Sequence, residues 1–261
     1  MPTVPRPDGV TISYVDSGGD GPVVVFSHGI LMDASMFDAQ VAALTSAYRC
    51  IAWDQRGHGD TGLVTEPFTF WDSAQDLLAI LDDARVDSAV LVGMSQGGFV
   101  GQRVALLAPE RVRGLVFIDS QAGLEAEEAA PLYQQMAENW AKEGYDEAVA
   151  SFVAQLILGP AEHAPWLDKW RGLPQEQVLQ PTYTLLERED LTDRLTGIAA
   201  PALVIHGTAD AAIPTELAER LATGLPNCRG FVTIPDAGHA SNVSHPEPVN
   251  EAISAFLATL N

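Results

Sequence analysis

The residues best suited to chemistry sit in Gly93-Met94-Ser95-Gln96-Gly97. A strand-like run at 88–92 (SAVLV) leads into this pentapeptide and a helix-like run at 98–107 leads out. A serine on so sharp a strand-to-helix turn projects its hydroxyl from a strained backbone, and small residues two places to either side let neighbouring backbone approach. An alkoxide does not exist free at neutral pH, so Ser95 needs an adjacent base to take its proton as it attacks. His239, in Asp236-Ala237-Gly238-His239, is the candidate base, because an imidazole titrates near working pH. Asp210, in His206-Gly207-Thr208-Ala209-Asp210, is the candidate acid that would hold the ring in one tautomer and stabilise the imidazolium. Backbone N–H groups of Ile30 and Gln96 are candidates to donate to a developing oxyanion, the second with the partial positive charge of a helix N-terminus behind it.

Buried, strand-like runs must position these groups. Residues 22–27 (PVVVFS) precede His28-Gly29-Ile30, residues 202–205 precede Asp210, and residues 231–234 precede His239. In a parallel sheet such positions gather at the carboxyl edge, so residues far apart in sequence converge. Further strands are expected at 49–53 and 112–118, and helices at 35–46 and 71–84, the latter with Leu77, Leu78, Ile80 and Leu81 on a helical period. Residues 10–16 alternate like an edge strand, and 16–22, with three glycines, read as a hairpin loop into the next strand. Alternation of strand and helix requires crossovers, hence an α/β fold with a mostly parallel, doubly wound sheet. From about residue 120 to 195 the rhythm changes to helix-like stretches punctuated by Pro160, Pro165, Pro174 and Pro181. The chain therefore divides into a first core part (1–120), an inserted helical cap (121–195) and a second core part (196–261).

The elbow, His28-Gly29, the loop Asp54-Gln55-Arg56-Gly57-His58-Gly59 and the terminal Gly238-His239 together resemble the α/β-hydrolase fold family almost end to end. Within it, Gly93–Gly98 with Leu107-Ala108-Pro109-Glu110-Arg111-Val112 is most similar to small serine esterases and lactonases, including enol-lactonase-like proteins. The order Ser95, Asp210, His239 is the order that family uses. Asp119, after the sixth strand, is a rival acid because some members draw theirs from that place. Asp210 is favoured because Gly207-Thr208-Ala209-Asp210 with Ile213-Pro214 matches the family's usual acid loop. The resemblance implies a cofactor-independent serine hydrolase that cleaves a neutral, moderately hydrophobic carboxylic ester or lactone through an acyl-enzyme opened by water. Other activities of the fold remain alternatives. Carbon-carbon hydrolases usually show a Gly-rich run after His-Gly, absent here, and perhydrolases often carry a Trp where Ile30-Leu31-Met32 stands. A non-catalytic small-ligand receptor would have no need of every element of the triad.

The aromatic residues Trp140, Phe152, Trp166 and Trp170 of the insertion are candidates to line a substrate cavity, alongside Tyr133 and Tyr183; the competing reading is that they only bury the faces of a small helical cap. His28 and His206 read as structural, and Asp54 and Arg56 as organisers of their loop. The six histidines show no metal-ligand spacing, and Glu125 to Glu128 reads as a solvated helix face, so no metal site is expected. Gly18, Gly19 and Gly21 form no complete dinucleotide fingerprint, and no cofactor is called for.

Fourteen Lys and Arg against 35 Asp and Glu give a net charge of -21, which repels phosphate backbones and anionic bilayers and disfavours nucleic-acid or membrane partners. No apolar run approaches the roughly 18 residues of a membrane span. Residues 1–8 lack a basic region followed by an apolar core, and Cys50 and Cys228 are expected as free thiols, which together point to a cytoplasmic enzyme.

Overall fold

The computed structural model describes residues 1–124 and 128–260. The acid-rich stretch 125–127 therefore lies outside the described residues. Eight strands form one sheet: β1 (Thr3–Pro5), β2 (Thr11–Asp16), β3 (Val23–Ser27), β4 (Arg49–Trp53), β5 (Ala89–Met94), β6 (Val112–Ile118), β7 (Ala202–Gly207) and β8 (Cys228–Ile234). Their spatial order is β1-β2-β4-β3-β5-β6-β7-β8. From β4 to β8 every pairing is parallel, while β1 and β2 join antiparallel.

This order corrects one expectation. Residues 16–22 do not close a hairpin, because β4 lies between β2 and β3. Gly18 and Gly19, at φ 68° and 98°, carry the chain past that intervening position, a path that left-handed backbone makes accessible. Nor is β2 the edge: β1 covers it, pairing Val4 with Ile12.

Helices α1 (Asp38–Leu44), α2 (Phe70–Asp83), α3 (Gln96–Leu107), α8 (Thr215–Gly224), α9 (Ser241–Ser244) and α10 (Pro246–Ala258) accompany the strands. Helix α2 starts at Thr69, whose side chain accepts from the Asp72 N–H while Asp72 reaches back to the Thr69 N–H. Such a capping box satisfies two donors that the helix end would otherwise orphan. Successive residues of a strand point to opposite faces. Val24, Phe26, Val90, Val92, Val116, Ile118, Leu203 and Ile205 accordingly pack on one side with Leu44, Ile253 and Phe256. Val25, Ile51, Leu91, Leu115, Phe117 and Val204 pack on the other with Leu77, Ile80, Val100 and Leu221. Both faces of the inner strands are thus covered, which explains their near-continuous apolar runs.

Between β6 and β7 the chain forms α4 (Ala130–Glu143), α5 (Glu147–Leu158), α6 (Ala164–Arg171) and α7 (Leu179–Leu186). Ala137, Trp140, Val153, Ile157 and Trp170 of these helices join the first core cluster, so the insertion packs directly onto the sheet's helical layer. Among the described residues no helix is long and apolar enough to cross a membrane.

Candidate active site

Ser95 stands between β5 and α3 with φ 50° and ψ −116°, a conformation that L-residues adopt only when the surroundings impose it. The surroundings do so. A Cβ at Gly97 would lie 1.9 Å from the Ser27 carbonyl oxygen, and one at Gly93 would lie 2.3 Å from the Gly97 backbone. Absence of side chains at both places lets β3, β5 and α3 close around the turn. The Ser95 N–H donates to Ile118 O at 2.9 Å, and the Ser120 hydroxyl donates to Ser95 O at 2.8 Å.

The loop after β8 brings His239 Nε2 to 3.0 Å from Ser95 Oγ, and His239 Nδ1 lies 2.8 Å from Asp210 Oδ2. A carboxylate oxygen only accepts, so Nδ1 carries the proton and Nε2 turns its lone pair to the Ser95 hydroxyl. Asp210 is itself fixed: its Oδ1 accepts from the N–H groups of Ala212 and Ile213 at 2.8 and 2.9 Å. Burial opposes its ionisation, but the His239 ring beside it and these hydrogen bonds prevail and hold its pKa below the usual carboxylate value. Asp119 is placed differently. Its two oxygens accept from the N–H groups of Gly207 and Ser241, and burial, with the Asp210 charge added, pushes its pKa up to about 7. His239 is therefore hydrogen-bonded to Asp210 and not to the rival acid.

Gln96 is the first residue of α3, where helix geometry leaves an N–H without an intrahelical acceptor. Ile30 follows Gly29 and lines the same cavity as Ser95. His28 and His58 support that loop: His28 Nε2 accepts from the Gln55 N–H and His58 Nε2 from the Leu31 N–H. Asp54 accepts from Ala34 and Asp60, whereas Arg56 pairs with Asp76 and Asp8, so these two organise their loops separately rather than with each other.

Ser95 and His239 open into a predominantly apolar cavity beneath the insertion. Ile30, Leu31 and Ile213 form its floor with them, and α4, α5 and α7 contribute Tyr133, Met136, Trp140, Val153, Leu156, Ile157, Thr182 and Leu185. Among the described residues no Asp, Glu, Lys or Arg lines it. Of the four aromatic candidates, Trp140 alone borders this space. Phe152 is 57% exposed and does not border the cavity. Trp166 is buried with the Lys169 ammonium 4.4 Å from its ring centroid, and Trp170 donates from Nε1 to Leu31 O, bracing the loop from behind. The aliphatic majority of the lining escaped the sequence reading, although Val153, Leu156 and Ile157 share one helical face. Asp119, His206 and Asp210 offer ligand atoms within 4.8 Å of one another, but both carboxylates are already engaged by amides and by His239. Both cysteines are free.

A family model for the α/β hydrolase fold matches residues 22–246. A pimeloyl-[acyl-carrier protein] methyl ester esterase of Nitrosomonas europaea is 30% identical, with 90% of this chain and 95% of that protein covered. The crystal structure of the enol-lactonase from Burkholderia xenovorans LB400 superposes with a TM-score of 0.89 at 26% identity, covering 98% of this chain and 100% of that one. A bromoperoxidase from Bacillus anthracis shares the fold, with a TM-score of 0.84 at 24% identity over 96% of each chain. With its parallel sheet, its serine at the β5–α3 turn and these relatives, the chain is a hydrolase and belongs to the α/β-hydrolase fold family.

Proposed function

We propose that the protein is a serine esterase or lactonase acting on neutral, moderately hydrophobic carboxylic esters, cyclic or linear, with 121–195 serving as a cap that selects them. The observation that carries this reading is the hydrogen-bonded series Asp210–His239–Ser95 opening into a cavity whose described lining holds no Asp, Glu, Lys or Arg.

The mechanism follows from the proton positions. Ser95 Oγ attacks the substrate carbonyl carbon as its proton passes to His239 Nε2, and the imidazolium so formed is stabilised by Asp210. The carbonyl oxygen, now negative, receives hydrogen bonds from the Ile30 and Gln96 N–H groups, each worth about 3 kcal/mol of barrier in comparable sites. Collapse breaks the bond to the alcohol oxygen, which takes the proton from His239 Nε2 and leaves an acyl-Ser95. Water then gives a proton to His239 and its oxygen to the acyl carbon, and Ser95 leaves with that proton. For a lactone the alcohol stays attached to the acid released.

The apolar lining supports the neutral substrate class. A carboxylate in the cavity would lose hydration worth several kcal/mol without a cation to meet it. The test is turnover of p-nitrophenyl acetate through octanoate, simple lactones, an amide, a phosphate monoester and a half-ester bearing a free carboxylate, by wild type and Ser95→Ala. Neutral esters or lactones should lead, the half-ester should lag, and Ser95→Ala should fall to the roughly 10³-fold over water that binding and an oxyanion site alone sustain. A folded Ser95→Ala enzyme keeping a tenth of the activity would refute the mechanism. Tight binding of a small ligand with no ester or lactone turnover would replace enzyme by receptor.

A further inference from the structure

Three residues at the end of β6 touch the segments that carry Ser95, Asp210 and His239. Ile118 O accepts from the Ser95 N–H, the Ser120 hydroxyl donates to Ser95 O, and Asp119 lies between them at φ 48°, fully buried. Its Oδ1 accepts from Gly207 N at 2.8 Å and its Oδ2 from Ser241 N at 2.9 Å. Gly207 is three residues before Asp210, and Ser241 is two after His239. One carboxyl group thus joins the two loops whose side chains must meet. We propose that Asp119 is a positioning residue that clamps the Asp210 loop to the His239 loop and so sets the approach of the imidazole to Ser95 Oγ.

A carboxyl suits this task because it offers two acceptor oxygens diverging from one carbon, whereas an amide of the same size offers one acceptor and would turn donors on the other N–H. A second observation concerns its proton. His206 Nε2 lies 3.0 Å from Ile213 O, so it carries the ring hydrogen, and the buried Nδ1 is left without a hydrogen-bond partner 3.7 Å from Asp119 Oδ1. A protonated Asp119 presents a hydrogen toward that lone pair where a carboxylate would present a second acceptor. The upward displacement of its pKa by burial and by Asp210 agrees. In its neutral form Asp119 clamps both loops without adding a second carboxylate charge to that of Asp210 beside His239.

This inference rests on Ser95 as nucleophile, so the experiment includes Ser95→Ala and Asp210→Asn as references. Asp119→Asn keeps the volume and removes one arm of the clamp. With kcat and KM measured on p-nitrophenyl butyrate per folded molecule, kcat should fall roughly 10- to 100-fold, as expected for a displacement below 1 Å, with KM within about threefold. That loss should stay smaller than the loss in Asp210→Asn. Unchanged kcat per folded molecule with only a lower melting temperature would make Asp119 merely structural and overturn the proposal. A loss equal to that of Asp210→Asn would overturn it too, by making Asp119 the acid. Should Asp119→Asn fail to fold, amide exchange in the unaltered protein decides: the Gly207 and Ser241 N–H groups should exchange only through global unfolding, and faster exchange would mean no clamp. If Ser95→Ala stays active, the nucleophile assignment fails, whatever the Asp119 variant does.

Discussion

Replacing Gly97 by Ala adds a single methyl group at the most crowded point of the site. The new carbon would lie 1.9 Å from Ser27 O and 2.6 Å from the Ser27 carbonyl carbon. Real contacts of this kind stop near 3.0 Å, so a gap of about 1 Å must open. Ser27 cannot supply it, because it ends β3 with parallel neighbours on both sides, opposite Trp53 and Gly93. The movement therefore falls on the start of α3, which carries Gln96 next to Ser95. A displacement of about 1 Å at reacting groups costs on the order of 10²-fold in rate. Overpacking costs about 1–3 kcal/mol, of which the better helix propensity of Ala returns at most about 1. Gly101, one turn further along α3, is the control: its added carbon would meet only Leu115 Cδ2, at an ordinary 3.5 Å. Gly101→Ala should keep wild-type kcat and gain up to about 1 kcal/mol of stability. The assay is kcat on a p-nitrophenyl ester per folded molecule, with urea unfolding run in parallel. Wild-type kcat in Gly97→Ala, or equal damage from both substitutions, would show that the close approach of α3 to β3 does not hold the serine in place.

Asp210→Asn should lower kcat by about 10³- to 10⁴-fold with little change in stability, because an amide can favour the wrong His239 tautomer; a loss below tenfold would remove Asp210 from the mechanism. Trp140→Ala should change the ratio of kcat/KM between acetate and octanoate esters by about 10- to 100-fold, since cavity contacts set discrimination at roughly 1 to 3 kcal/mol, whereas Phe152→Ala should leave that ratio alone. Stability should fall as pH drops below about 6.5. Burial holds His58 down to about 3, so the unfolded chain binds one more proton there and that ring removes about 1.4 kcal/mol per pH unit, and burial lowers His28 and His206 in the same direction. Asp119, raised to about 7, works the opposite way between roughly pH 4 and 7 and offsets the His58 contribution, leaving His28 and His206 to set the downward slope. Urea unfolding at pH 7, 6 and 5 reads the net slope, and stability that is flat or rising toward pH 5 would contradict it.

Legibility of the fold tracked how local each signal was. The runs at 22–27, 88–92 and 202–205 announced strands because both faces of those strands are buried, and the turn glycines announced the close approach beside Ser95. Pairing order was illegible for β2, since nothing in residues 16–22 distinguishes a hairpin from a passage over β4. The cavity lining was illegible for a related reason. Trp166 and Trp170 advertise size, yet which side of a helix faces the sheet edge depends on how α6 docks, and Trp170 docks against the Leu31 carbonyl instead. Helix α5 shows the alternative signal, a plain aliphatic face of Val153, Leu156 and Ile157, which sequence alone cannot separate from ordinary core. Asp119 was visible as a carboxyl after a strand, but its two amide donors come from residues 88 and 122 positions away.

The distribution of charge gives the proposed substrate preference a physical basis beyond the cavity wall. Net charge is -21, yet the cations of the insertion are nearly all committed to partners around it. Lys169 meets Asp33 at 2.7 Å, Arg171 meets Glu147 and Asp168, Arg194 lies 3.7 Å from Glu189, and Arg188 donates to the carbonyls of Leu185 and Gly123. Lys142 is 80% exposed beside Glu143. Bringing any of these cations to an anion at Ser95 would break an existing contact or carry a solvated ammonium into an apolar space, in addition to the several kcal/mol of desolvation the anion itself incurs. The acidic exterior adds repulsion at longer range, screened beyond about 8 Å at physiological salt, so it acts on encounter more than on binding. Exclusion of anions is thus expected to appear in KM and kcat alike, and to persist at high salt because its larger part lies in the cavity.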